Sequence, residues 1–200
     1  MALASVLKAD PERDVFLGPA ASKEAVQKAF LSESRIVAFA THGLLPGDFP
    51  GLDQPALALA APAGYNVDAD PIRALLTLED VLSLKLNAEW VVLSACNTAA
   101  GDGAGAEAIS GLGRAFFYAG SRALLVTHWP VETVSARKLV TDIFAHYAAD
   151  PSLSRAEALR QAMLALMQDG QREAATGQLA FPYAHPRFWA PYALVGDSGR

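Results

Sequence analysis

Cys96, the only cysteine of the 200-residue chain, and the imidazole of His42 are the side chains best suited to covalent chemistry. A thiol attacks well only as the thiolate, so it needs a base within reach, and an imidazole near its ordinary pKa can take that proton. Each group follows an apolar run. Arg35-Ile36-Val37-Ala38-Phe39-Ala40-Thr41 leads to His42-Gly43, and Trp90-Val91-Val92-Leu93-Ser94-Ala95 leads to Cys96-Asn97-Thr98. Runs of this kind, apolar without alternation, predict strands covered on both faces in a parallel sheet. Parallel sheets take their ligands beyond the carboxyl ends of the strands, which is where both groups stand. If the two strands are neighbours their tips lie about 5 Å apart, and an imidazole on one can reach a thiol on the other. Cys96 is then the nucleophile and His42 its general base. The backbone N–H groups of Gly43 and Cys96 are candidates to hold an oxyanion, Gly43 having no Cβ to keep a carbonyl away. The reaction is acyl transfer through a thioester.

Plainer roles exist for the same residues. A cysteine at a strand end can be an inert small hydrophobe, and a histidine before glycine can be a turn residue. The arrival of both at consecutive strand ends favours chemistry. A zinc site of Cys96, His42 and His128 would need three converging tips and lacks any short ligand spacing, so no metal or cofactor is expected. The run Gly101-Asp102-Gly103-Ala104-Gly105 is not followed by the Lys-Ser/Thr of a phosphate loop, and its glycines are read as letting a substrate backbone approach Cys96. A small-molecule thiol hydrolase would carry a nucleophile elbow and a triad acid, and neither is found. No third residue orienting His42 stands out, and His146 and His185 read as a helix-surface and a loop-packing residue.

The elements that must position these groups follow from the rest of the chain. Met1 to Lys8 has helical character, and Asp14 to Leu17 is a short strand candidate closed by Gly18-Pro19. Ser22 can cap a helix reaching about Leu31. Leu44 to Asp70 is rich in Pro, Gly and Asp, with a weak edge strand at Ala56 to Ala60, and reads as a functional surface excursion. Thr77 with Asp80 resembles a capping box before a short helix, Leu78 to Leu84. A helix opens at Glu107 and stops at Gly120; Arg122 to Thr127 is a third buried strand. His128-Trp129-Pro130-Val131-Glu132 turns into a long helix reaching Tyr147, a further helix runs from Ser154 to Met167, and Tyr192 to Val195 is a last strand. Strand and helix alternate, so the expected class is α/β, a three-layer sandwich with a mostly parallel sheet flanked by helices, in a single domain spanning residues 1–200.

Composition narrows the function. Apolar residues make up 52% and charged residues 18% of the chain, and the net charge is -5. No basic run or basic-aromatic stripe is present, so no nucleic-acid partner is expected. No stretch approaches the roughly 18 to 20 apolar residues of a membrane span, and the apolar run at the N-terminus is too short for a signal segment. A lone cysteine excludes an internal disulfide and fits a reducing compartment, so a cytoplasmic location without membrane contact is expected.

The paired blocks Ile36 to Gly43 and Val91 to Thr98 resemble the His-Gly and Ala-Cys blocks of caspase-like cysteine peptidases, and more closely those of the bacterial CHAT domain. The resemblance extends through Gly111-Leu112-Gly113-Arg114-Ala115-Phe116-Phe117-Tyr118-Ala119-Gly120, Trp129-Pro130-Val131 and His185-Pro186-Arg187-Phe188-Trp189-Ala190-Pro191-Tyr192. It implies a caspase-type sheet, His42 and Cys96 as a catalytic dyad, endopeptidase activity on a protein or peptide substrate, and an upstream repeat region or regulatory protein as a partner. A catalytically silent CHAT-type binding module is the alternative. The pattern normally begins with a further strand, so the chain is expected to start inside the domain. His128 stands where the pattern is usually apolar or small, and Glu132 where it more often has Asp.

The mouth segments 43–56, 96–107 and 128–132 carry only acidic charges: Asp48, Asp53, Asp102, Glu107 and Glu132. Together with Asn97, His128 and Trp129, four of these (Asp48, Asp102, Glu107 and Glu132) are candidate substrate-binding residues. A negative cleft favours a basic residue before the cleaved bond. The same acids could instead complement helix N-termini and cap turns.

Overall fold

The computed structural model describes the chain except residues 1, 62–63, 67–69, 95–103, 151, 173–178 and 200, and except the side chains of residues 71, 104–110, 171–172 and 179–181. In chain order its helices and strands are α1 (Ala2–Val6), α2 (Lys23–Lys28), β1 (Ile36–Phe39), β2 (Gly43–Leu44), β3 (Ala56–Ala58), β4 (Leu75–Thr77), α3 (Leu78–Ser83), β5 (Trp90–Leu93), α4 (Ala104–Tyr118), β6 (Ala123–Thr127), α5 (Thr133–Ala149), α6 (Arg155–Met167), β7 (Gly170–Arg172), β8 (Leu179–Pro182), α7 (Pro186–Trp189) and β9 (Tyr192–Gly196). They fall into two compact units, one of residues 16–129 and one of residues 1–15 with 130–200.

The unit of residues 16–129 is built on the parallel strands β1, β5 and β6. Ile36 pairs with Trp90 and Phe39 with Leu93, while Val91 and Val92 pair with Leu124 and Leu125. Every residue of β5 and β6 is buried. Successive strand residues point to opposite faces, so both faces of these strands are covered, as the layered α/β class requires. Helix α4 lies against the sheet, where Phe116 and Phe39 bring their rings to 5.7 Å. The helix ends at Gly120 (φ +113), where a Cβ would come within 2.2 Å of the Leu86 carbonyl oxygen. Only glycine serves there.

A small antiparallel sheet, β2-β3-β4, occupies the excursion between the first two parallel strands. Its apolar side gathers Leu52, Ala56 and Leu75 with Leu44 and Ala58. Helix α3 leaves it through the expected capping box: Thr77 N–H donates to the Asp80 carboxylate at 2.9 Å and Asp80 N–H to the Thr77 hydroxyl at 3.3 Å. Lys23 adds an ion pair to Asp80 at 2.6 Å. Burial pushes the Asp80 carboxyl up, but the bonds from Lys23 and Thr77 outweigh it and hold the group below its usual range.

The other unit is mainly helical. Helix α5 buries Ser135, Ala136, Leu139, Val140, Ile143 and Phe144, an apolar stripe of helical period, and packs on α1, α6 and α7. Strands β7 and β8 pair antiparallel. Arg155, wholly buried at the start of α6, donates through Nη1 to Asp197 at 3.2 Å and to the Gly199 carbonyl at 3.0 Å.

No strand forms at Asp14 to Leu17. Asp14 closes a turn by accepting the Asp10 N–H at 2.9 Å, and a single 3-10 turn follows at Gly18–Ala20. Helix α4 begins three residues before Glu107, and α2 ends at Lys28 rather than near Leu31. Among the described residues, no helix is long and apolar enough to cross a membrane.

Candidate functional site

The site begins with the two strands the sequence singles out, which are parallel neighbours with Phe39 opposite Leu93. One further backbone bond continues the pairing beyond them, from Ser94 N–H to the Phe39 carbonyl at 3.1 Å. His42 and Cys96 each follow the Phe39–Leu93 pair by three residues. His42 is exposed and Gly43 half-buried at the start of β2. Cys96, Asn97 and Asp102 lie outside the described residues. So does the side chain of Glu107, whose backbone belongs to the first turn of α4.

The chain around His42 is held to β3. The Ala58 N–H donates to the His42 carbonyl at 2.9 Å, and the Thr41 hydroxyl donates to the Ala58 carbonyl. Both backbone polar groups of Ala58 are thus used to fix the residues that carry the imidazole. Sequence reasoning missed Thr41; a hydroxyl-bearing residue between an apolar strand and His-Gly is the only sign of it. Among the described residues, no hydrogen bond reaches the His42 imidazole.

His128 and Trp129 follow β6 directly, both exposed, with ring centroids 6.3 Å apart. Because β5 lies between β1 and β6, the two histidine-bearing strands flank the strand that leads to Cys96. Adjacent strands are about 4.8 Å apart. Val92 pairs with Leu125, three residues before His128.

Two of the acidic residues carry structural bonds. Asp48 Oδ2 accepts the Leu45 N–H at 2.7 Å, closing the turn after β2. Glu132 caps α5, accepting the N–H groups of Val134 at 2.9 Å and Ser135 at 2.8 Å. Burial pushes the Glu132 carboxyl up, but these helix N–H groups outweigh it and hold the group below its ordinary value. Glu132 also borders a surface cavity of about 480 Å³ with Pro182, His185, Arg187 and Phe188. His185 caps α7 through Nδ1, which accepts the Arg187 N–H at 3.1 Å. Asp53 is exposed. Among the described residues, no cluster of His, Cys, Asp and Glu could hold a metal ion.

A parallel sheet with His-Gly after one strand and Ala-Cys after its neighbour is the arrangement of caspase-like proteins. The match to known families agrees: residues 2–197 match the CHAT domain, and the chain belongs to that caspase-like family. It is also similar to tetratricopeptide repeat protein 28, with 31% identity to the Mus musculus protein over 131 residues and 28% to the Homo sapiens protein over the same length. Those alignments cover 65% of this chain and 5% of each relative, so the chain spans about a twentieth of their length.

Proposed function

We propose that the chain is a cysteine endopeptidase domain, a single CHAT domain over residues 1–200, with Cys96 as nucleophile and His42 as general base. The observation that supports this reading best is the register of β1 and β5, from which His42 and Cys96 each follow by the same number of residues. His42 takes the thiol proton, and the sulfur attacks the scissile carbonyl carbon to form a C–S bond. The oxyanion is held by the N–H groups of Gly43 and Cys96. The intermediate collapses with cleavage of the C–N bond, and the leaving amine takes the proton from His42. Water, deprotonated by His42, then attacks the thioester, releasing the carboxylate product and returning the proton to sulfur.

Asp48, Asn97, Asp102, Glu107, His128, Trp129 and Glu132 are the proposed substrate-binding residues. The substrate is a protein cleaved after a basic residue, in the cytoplasm, and a repeat-containing region or regulatory protein is the controlling partner. Preference for Arg or Lys rests on the acidic mouth segments. Fluorogenic peptides differing only in the residue before the cleaved bond test it: Arg and Lys are expected to be cut about tenfold or more faster than Asp or Leu. Equal rates exclude basic specificity. Loss of all cleavage in Cys96→Ala is required by the mechanism whatever the specificity.

A further inference from the structure

The three connections that lead into the parallel strands are bound to one another. They are residues 26–35 before β1, 82–89 before β5 and 118–122 before β6. The Glu89 N–H donates to the Arg35 carbonyl at 2.8 Å, the Leu86 N–H to the Ala119 carbonyl at 2.7 Å, and the Arg122 N–H to the Ala88 carbonyl at 2.9 Å. They make one surface at the amino ends of the strands, opposite the carboxyl ends that lead to His42 and Cys96. Large apolar side chains stand out of it: Phe30 is 77% exposed, Tyr118 83% and Leu82 41%. Phe30 borders a cavity of about 350 Å³ with a mixed lining, apolar at Val26, Leu31 and Leu84 and polar at Ser32 and Lys85. Scattered apolar residues are ordinary on a surface, but a large aromatic this exposed at the rim of a groove marks a candidate interaction site.

The charge of this surface runs against that of the chain. Arg35 and Glu89 neutralise each other through paired 2.9 Å bonds. Beyond that pair the connections carry exposed Lys28, Lys85 and Arg122 against exposed Glu33, in a protein of net charge -5. A second copy docking by the same face would bring those cations together. An acidic partner would be attracted.

We propose that this face docks an amphipathic helical segment of a partner protein. Its apolar residues enter the groove beside Phe30, and its acidic residues meet Lys28, Lys85 and Arg122. The proposal does not depend on peptidase activity. It is tested by fluorescence anisotropy with a labelled helical peptide of about 15 residues, Leu at positions i, i+3, i+4 and i+7 and Glu on the opposite side, and with its Lys-for-Glu counterpart. The Glu peptide is expected to bind about tenfold or more tightly than the Lys peptide. Phe30→Asp is expected to weaken it by a similar factor, and Lys85→Glu to abolish the preference for the Glu peptide. Both side chains are exposed, so both variants should keep the wild-type circular dichroism spectrum. Absent binding, equal binding of the two peptides, or binding indifferent to both variants overturns the proposal. So does a concentration-dependent dimer that Phe30→Asp dissolves, which would give the face to a second copy.

Discussion

Thr41 and Ala58 hold the backbone on which the His42 imidazole depends. Replacing the Thr41 hydroxyl with a methyl group leaves the Ala58 carbonyl without that donor, a loss of about 1 to 2 kcal/mol. Thr41→Val should therefore lower kcat for peptide cleavage several-fold with KM little changed, while Thr41→Ser keeps the wild-type kcat. Equal kcat in Thr41→Val would remove Thr41 from any positioning role. Glu132 carries a pH dependence of known sign. Its carboxyl is held below its ordinary value near 4.5 in the folded chain, so the stability it contributes is present above that value and fades as pH falls through the lower folded value. Glu132→Gln should lower Tm at pH 7, and the difference should shrink as pH falls below the ordinary value of 4.5 and through the lower folded value. Thermal denaturation across that window measures it, and a constant difference at all pH values would contradict it.

Among the elements, β1, β5 and β6 are legible in the sequence because unbroken apolar runs predict strands, but only β5 and β6 are covered on both faces; in β1 Val37 and Phe39 are buried while Ala38 is exposed. The helices α5 and α6 are legible through period and caps: Glu132 and Ser154 both accept helix N–H groups as N-caps should. The small antiparallel sheet is not. Strand β2 has two residues and β4 three, too few to show alternation, and their pairing is decided by burial around Leu52 and Ala56. Hairpin β7-β8 is hidden by polar residues in β7 and by Pro182 at the end of β8. Asp14 to Leu17 misleads in the other direction, since a short apolar run is captured by a turn. The α4–β6 connection has the sharpest local requirement. Gly120→Ala places a Cβ on the Leu86 carbonyl in a backbone conformation that L residues rarely adopt, and should destabilise the protein by roughly 2 to 4 kcal/mol. Urea unfolding checks this, and a loss below about 1 kcal/mol would show that the junction yields.

At the scale of the molecule, family membership rests on a match spanning residues 2–197, while the activity is the proposed step beyond it. His42, Gly43 and Cys96 are conspicuous in the sequence as candidates because strand tips are where a parallel sheet keeps chemistry, and Cys96 lies outside the described residues. The acidic residues are less so, because Asp and Glu serve turns and helix ends as readily as substrates, and Asp48 and Glu132 are engaged in that way. The mouse and human relatives are some twenty times longer than their aligned region. The central claim is that His42 activates Cys96. The most direct measurement is the rate at which a peptidyl acyloxymethyl ketone with Arg at its reactive end labels Cys96, followed by mass spectrometry of the intact protein in wild type and His42→Ala. A single adduct on Cys96 that forms about a hundredfold or more slowly in His42→Ala is expected. Labelling at the same rate in both proteins, or no adduct on folded wild-type protein, would contradict the dyad.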